Sequence, residues 1–329
     1  MSIQFLSLNS ICQLCKNLDI KPTKTLGQNF VKDKSTVQKI VSKIGDIENK
    51  HVIEIGPGLG SLTLAILEKK AYISAVEIDP KLAKNLPVTI QKNAPDYIQR
   101  IRVLNDDALK IEGFEDLEKS SYCEKNAESE RIFSLPPEFL IANLPYNVSV
   151  PIILNILEKF PSIHTVLVMV QLEVAQRLTA KPENKIYGVP SIKLAWYGEA
   201  KMVGKIGTAV FYPVPNVDSA LVLFNRREKE FYEKIISRLQ CSLNNKLTAT
   251  DDFLEQLRKT LFDLVDTAFS QRRKMLRQSI KPFCASLCTP QQLLEESGID
   301  PRFRAEMLSV DDYIKIAETY LRIKKYDDE

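Results

Sequence analysis

Two histidines in 329 residues leave little from which to build a metal centre. Both, His51 and His164, lie in apolar, strand-like runs, and the six cysteines supply no framework beside them. Cys12 and Cys15 form a single Cys-x-x-Cys, and Cys284 and Cys288 sit one helical turn apart, whereas a structural zinc needs four ligands. No metal is expected, and the thiols read as buried or half-buried groups in a reducing compartment. Any apolar run long enough to cross a bilayer is also missing, so no membrane partner is expected. From Met1 to Asp19 there is little positive charge and no small-residue cleavage site. Neither a signal peptide nor a transit peptide is expected, and the chain reads as cytoplasmic. A large net charge is lacking too. At +3 the balance alone does not mark a nucleic-acid binder, so the distribution of charge must decide. Lysines gather between Lys21 and Lys39, and Gln271-Arg-Arg-Lys-Met-Leu-Arg277 is densely basic. A solvated helix face would look the same at either place.

What is present is a 44% hydrophobic, 26% charged chain, long enough for one large domain and a smaller one. Leu6, Ile11, Leu14 and Leu18 suggest an N-terminal helix, followed by the loop Lys24-Thr-Leu-Gly-Gln-Asn-Phe30. Asp33 is placed to cap a helix carrying Val37, Ile40, Val41 and Ile44, with Gly45 beyond its end. Strands and helices then alternate. His51–Ile55, Ala71–Val76, Ile101–Leu104, Phe139–Ala142 and Thr165–Val170 read as strands, with helices after Gly60 and Pro80 and over Val150–Phe160. Repeated βα units with apolar strands predict an α/β, Rossmann-like, mostly parallel sheet covered on both faces. Glu112–Pro137, charged and serine-rich, reads as a surface excursion with room for a short helix. Val217–Phe224 is a last strand, and only helical periodicity follows Glu228. The expected division is a catalytic domain over 1–227, with 1–45 as its N-terminal helix and covering loop, and a small helical domain over 228–329.

The chemistry gathers at strand ends. The first strand runs into Glu54-Ile-Gly56-Pro-Gly58-Leu-Gly60, a turn that lets a ligand approach the backbone and the following helix N-terminus. Its spacing is not the G-x-G-x-x-G of dinucleotide sites, and a tight turn without a ligand would also fit. The second strand ends at Glu77, 21 residues after Gly56, where a carboxylate suits two ribose hydroxyls. Asp107, after the third strand, suits an adenine amine. Three strand ends, each matched to one part of an adenosine, converge on the carboxyl edge of the sheet. The turn spacing favours S-adenosylmethionine, with S-adenosylhomocysteine as product. Asn143-Leu144-Pro145-Tyr146 closes the fourth strand. An adenine N6 amine is a weak nucleophile, because its lone pair is delocalised. The Asn143 amide oxygen and the Leu144 carbonyl are placed to hold its two N–H groups and aim the lone pair at a methyl. Pro145 stiffens the corner, and Tyr146 offers a stacking face worth ~1–3 kcal/mol per base.

These pieces resemble the KsgA family of small-subunit ribosomal RNA adenine dimethyltransferases over nearly the whole chain. The resemblance rests on Leu26-Gly-Gln-Asn-Phe30, Glu54-Ile-Gly-Pro-Gly58, Val76-Glu77-Ile-Asp79, Asp107-Ala108 and Asn143-Leu-Pro-Tyr-Asn147. It continues in Phe211-Tyr-Pro-Val-Pro-Asn-Val-Asp-Ser219, Arg272-Arg-Lys-Met-Leu-Arg277 and Ile299-Asp-Pro-Arg-Phe-Arg-Ala-Glu306. It implies that Asn29 and Val31 cover the cofactor, Gly56 and Gly58 pass beneath it, Glu77 takes the ribose and Asp107 the adenine. Asn143 would lie between cofactor and target, with Phe211 opposite Tyr146 across the target base. Arg272, Arg273, Lys274 and Arg277 would meet RNA. The implied reaction is dimethylation of N6 on two adjacent adenosines in the 3′-terminal helix of small-subunit rRNA, within a pre-30S particle, by a monomer. Val31 stands where Leu is usual, Asn216 where Lys is frequent, and the prolines common before Phe211 are absent. A macrolide-resistance type of large-subunit methyltransferase shares the chemistry, but the Gly-Gln-Asn-Phe loop, Asn147 and Arg304-Ala-Glu-Met-Leu-Ser309 favour the first family. A non-catalytic scaffold or transcription factor would tolerate loss of the tetrapeptide, which is intact.

Overall fold

The structure, a computed structural model, describes residues 3–20, 29–145, 147–242, 250–285 and 287–327. The chain divides into two compact units, Met1–Ala175 with Ala200–Arg226, and Gln176–Glu199 with Arg227–Glu329.

The strands are β1 (Phe30–Val31), β2 (His51–Ile55), β3 (Tyr72–Val76), β4 (Ile101–Leu104), β5 (Ser121–Tyr122) and β6 (Phe139–Asn143). They continue with β7 (Thr165–Gln171), β8 (Gly198–Ile206), β9 (Phe211–Tyr212) and β10 (Ser219–Arg226). Eight of them form one sheet in the order β5-β4-β3-β2-β6-β7-β10-β8. Pairing is parallel from β4 through β7 and antiparallel at β4–β5 and β7–β10. Every residue of β2 and β3 is buried, as expected for parallel strands covered on both faces. The helices of this unit are α1 (Leu8–Asn17), α2 (Lys34–Val41), α3 (Ser61–Glu68), α4 (Pro80–Asn93), α5 (Phe114–Glu118), α6 (Ala127–Phe133) and α7 (Ser149–Lys159). Asp33 caps α2, its carboxylate accepting from the Thr36 N–H at 2.7 Å and the Ser35 hydroxyl at 2.6 Å. Such a cap is worth about 1 kcal/mol and fixes where β1 ends and α2 begins. The Rossmann-like, mostly parallel sheet expected from the βα pattern is the one found.

Glu112–Pro137 is more than a surface excursion. It supplies β5 on the sheet edge and α6, whose Phe133 is 1% exposed. The Phe133 ring meets His51, Tyr72 and Tyr122 edge to face at 5.3, 5.6 and 5.5 Å. It also lies 4.7 Å from the guanidinium of Arg102, which is buried in β4 and donates to the Ser74 hydroxyl at 2.7 Å. The apolar positions Ile132 and Phe133 carried the signal, diluted by the charges around them.

The second unit holds α9 (Val189–Tyr197), α10 (Lys229–Ser242), α11 (Thr250–Ser270), α12 (Leu276–Ser279), α13 (Lys281–Cys284), α14 (Pro290–Glu296) and α15 (Val310–Asp327), while α8 (Leu172–Leu178) straddles the division. Along α11, Leu257, Leu261, Leu264, Val265 and Ala268 are wholly buried at helical spacing. Each buried leucine contributes about 1.5–3 kcal/mol. Residues 176–199, which the sequence pattern assigns to the first domain, group with this unit because α9 packs on α11. Lys193 of α9 donates to Asp266 at 2.7 Å and stands 5.0 Å over the Phe262 ring.

Candidate active site

At β2 the strand order reverses. The chain steps outward to β3 and β4, then returns to place β6 on the other flank of β2. Ligands of open α/β sheets bind outside the carboxyl ends at such a point. Here a cleft enclosing about 930 Å³ of empty space, its open mouth included, is built from those ends. The turn after β2 forms its floor. Gly56 and Gly58 have φ of 66° and 58°, a region costly for residues with a Cβ. At Gly58 a Cβ would also stand 3.0 Å from the Phe30 ring.

Glu77, at the end of β3, is 5% exposed. One carboxylate oxygen accepts from the Gly58 N–H and the other from the Asp79 N–H, both at 3.0 Å. Burial pushes its pKa up, and those N–H bonds oppose the shift by holding the ionised form. Each oxygen keeps a further lone pair, so the group can bind the turn and a ligand diol together. Asp107 lines the cleft from the loop after β4, one oxygen accepting from the Leu109 N–H at 3.0 Å. At the end of β6, the Asn143 amide nitrogen donates to the Asn29 carbonyl at 3.1 Å. A carbonyl can face only the NH2 side of the amide, which leaves the Asn143 oxygen as the acceptor on offer.

Asn29, Val31, Gly56, Gly58, Glu77, Asp107, Asn143 and Pro145 all line this one cleft. The lining contains the carboxylates of Glu77, Asp106 and Asp107 and, among the described residues, no Lys, Arg or His. That balance suits a cationic ligand and disfavours the phosphates of a dinucleotide. Apolar walls missed from the sequence complete the cleft, among them Ile78, Val148 and Ile152. Ile78 is 55% exposed between two acidic residues, an apolar face beside the Glu77 carboxylate. On β2, next to the turn, burial raises the Glu54 carboxyl to about 8, which favours its neutral form.

Two candidates from the sequence, Leu144 and Phe211, are not among the residues that line the cleft. Leu144 is 1% exposed, backbone included. Phe211 does not reach the cleft. It pairs with Val31 across the β1–β9 ribbon and is 1% exposed within the main core, so no ring face is open to a base. Tyr146 lies outside the described residues. The basic stretch lies in the second unit, with Arg272, Arg273 and Lys274 in the turn between α11 and α12 and Arg277 in α12. Arg272 is engaged there by Glu306 at 2.6 Å, while Arg273, Lys274 and Arg277 are exposed. Among the described residues no three His, Cys, Asp or Glu side chains group as a metal would require. His51 is held neutral, its pKa pushed by burial to about 3. No described helix is long and apolar enough to cross a membrane.

Sheet order, glycine floor and acidic nucleoside-sized cleft define a class I methyltransferase fold with a helical companion unit. A family model described as ribosomal RNA adenine dimethylase matches residues 20–249, and the chain belongs to that family. The chain is 46% identical over 308 residues to ribosomal RNA small subunit methyltransferase A of Bifidobacterium adolescentis, covering 93% of this chain and 91% of that one. To the protein of the same name from Corynebacterium jeikeium it is 43% identical over 325 residues, covering 97% of each. Among solved structures, a dimethyladenosine transferase from Plasmodium falciparum superposes with a TM-score of 0.63 at 20% identity, covering 87% of this chain and 95% of that one. The 23S rRNA methyltransferase ErmE gives 0.55 at 21% identity, covering 90% and 99%. At such identities these two speak for the fold alone.

Proposed function

We propose that the chain dimethylates N6 of two adjacent adenosines in the 3′-terminal helix of small-subunit rRNA, with S-adenosylmethionine as donor. The observation that carries this reading is the meeting of the glycine floor, Glu77, Asp107 and Asn143 on one acidic cleft, in a member of the adenine dimethylase family. When bound, the donor supplies an electrophilic methyl on a sulfonium. The residues present fit it: a floor of positive-φ glycines, one of them with the Phe30 ring 3.0 Å from where a Cβ would stand, a buried carboxylate for the diol, a carboxylate for the amine, and among the described lining residues no competing cation.

The chain's own part is to bind, orient and exclude. Glu77 accepts from the ribose hydroxyls while pinning the turn, and Asp107 accepts from the cofactor's adenine amine. Asn143, held by the Asn29 carbonyl, presents its oxygen to the target amine, and the Leu144 carbonyl takes the second N–H. Two acceptors on one nitrogen draw it toward tetrahedral geometry and turn its lone pair to the methyl. No base is needed first, because the proton is lost once the nitrogen carries positive charge. The target base must leave its stack, at a cost of a few kcal/mol. On this reading the chain acts as a cytoplasmic monomer on rRNA held in a pre-30S particle.

Incubation with labelled S-adenosylmethionine and under-methylated small or large subunits, followed by mapping of the label, tests the assignment. Label on two adjacent adenosines of the small-subunit rRNA is expected; label on the large subunit overturns it. Glu77→Ala should weaken cofactor binding by about 10²-fold, since hydrogen bonds to a charged group contribute ~1.5–3 kcal/mol. Calorimetric titration reads this directly, and parental affinity would remove Glu77 from the site. Neutralising Arg273, Lys274 and Arg277 should weaken rRNA binding most at low salt. The slope of log affinity against log salt should fall by up to about 3, near 0.9 for each phosphate no longer neutralised. Arg272 is left out because its ion pair with Glu306 would confound the result.

A further inference from the structure

Asn155 stands on α7, away from the sequence motifs, and both of its amide N–H groups are in use. They donate to the carbonyls of Ala108 and Ile111, each at 3.1 Å. These carbonyls bracket the tight turn that begins at Asp107, where the Leu109 N–H returns to the Asp107 carboxylate at 3.0 Å and the Lys110 N–H to its carbonyl at 2.8 Å. The turn is anchored below by Ala108 and Ile111, 6% and 1% exposed. Asn155 therefore ties the turn that carries Asp107 to α7. The helix carrying it starts directly after the Asn143 corner, and two of its neighbours in this part of the chain, Val148 and Ile152, line the same cleft. Ile152 and Asn155, three apart, share a helix face.

We propose that Asn155 is a positioning residue for cofactor selection. From α7 it fixes the loop that aims Asp107 at the cofactor's adenine, and it ties that loop to the helix springing from the catalytic corner. This rests on the reading of Asp107 as the adenine acceptor. The amide matches the task in a way few side chains would. It offers two donors from one short stem, and the carbonyls it holds have no use for an acceptor. Asn155→Asp keeps the shape but sets a carboxylate against two carbonyl oxygens, and Asn155→Ala removes the tie.

The test compares binding of S-adenosylhomocysteine with that of its inosine counterpart, in which an oxo group replaces the 6-amine. The parent, Asn155→Ala, Asn155→Asp and Asp107→Ala are measured together, with thermal unfolding alongside. The parent should prefer the adenosine form, and Asp107→Ala should lose that preference. Both Asn155 variants should lose most of it, with the KM for S-adenosylmethionine up about tenfold, as expected for two neutral hydrogen bonds. Their kcat should stay near parental, because the Asn143 corner is intact. Lower thermal stability with unchanged preference and KM would reduce Asn155 to scaffolding and overturn the proposal. If the alanine variant fails to fold, the aspartate variant decides on the same readouts. Should Asp107→Ala itself keep the preference, the adenine reading of Asp107 falls, and the role of Asn155 with it.

Discussion

Asn143→Ala is expected to cut methyl transfer by about 10²–10³-fold, the usual effect of deleting one oriented hydrogen-bonding group from a reaction centre. The side chain contributes no charge and no proton, so its entire contribution is placement. Its amide nitrogen is held at 3.1 Å by the Asn29 carbonyl, which settles which way the oxygen faces. Truncation removes the acceptor for the target amine and loosens the segment around Asn29. The second effect touches the cofactor, but Gly56, Gly58, Glu77 and Asp107 remain, so S-adenosylmethionine should still bind within a few-fold of parental affinity. Single-turnover kinetics on under-methylated small subunits, with calorimetry for the cofactor, separates the two. A parental rate of transfer would end the orienting role.

Phe211→Ala is expected to lower stability by about 3–5 kcal/mol, the range for removing a buried aromatic side chain from a core. The ring is 1% exposed, and the backbone it belongs to pairs with Val31. Its loss would leave a cavity beneath the β1–β9 ribbon and free Val31 from its support at the cleft. Phe211→Leu makes the decisive comparison. It keeps an apolar side chain of similar size, costing roughly 1.5 kcal/mol or less, but removes the flat ring. If burial defines the residue, the leucine variant should turn over near the parental rate. A ring that stacks on the target base would instead show as a loss of ~1–3 kcal/mol in kcat/KM for RNA with the fold intact. Denaturant unfolding and steady-state kinetics on the same preparations read both outcomes.

The sequence spoke clearly where the chain repeats itself. Apolar runs such as Phe139–Ala142 and Val166–Val170 announced buried strands, and glycines or acids at strand ends announced the cleft. The same signal was weak for β8, where Glu199, Lys201 and Lys205 alternate with Ala200, Met202 and Gly204, too small an apolar face to announce a strand; an edge strand carrying lysines needs no larger one. The resemblance sets Phe211 against a target base, and only the packed fold, in which the residue is 1% exposed beside Val31, shows that the ring is internal. Asn155 carries no motif. Its partners lie 44 and 47 residues away, and long-range hydrogen bonds leave no trace in spacing. Residues that touch a ligand sit at strand ends and can be found by counting. Those that hold such residues in place depend on the packed fold.

The β1–β9 ribbon also sets an order on biosynthesis. A nascent chain that has emerged as far as Ile152 already owns every residue lining the cleft, yet Phe30 and Val31 have nothing to pair with until Phe211 and Tyr212 leave the exit tunnel. Through that interval two residues of the cleft's lining lack the ribbon partner that they have in the complete fold.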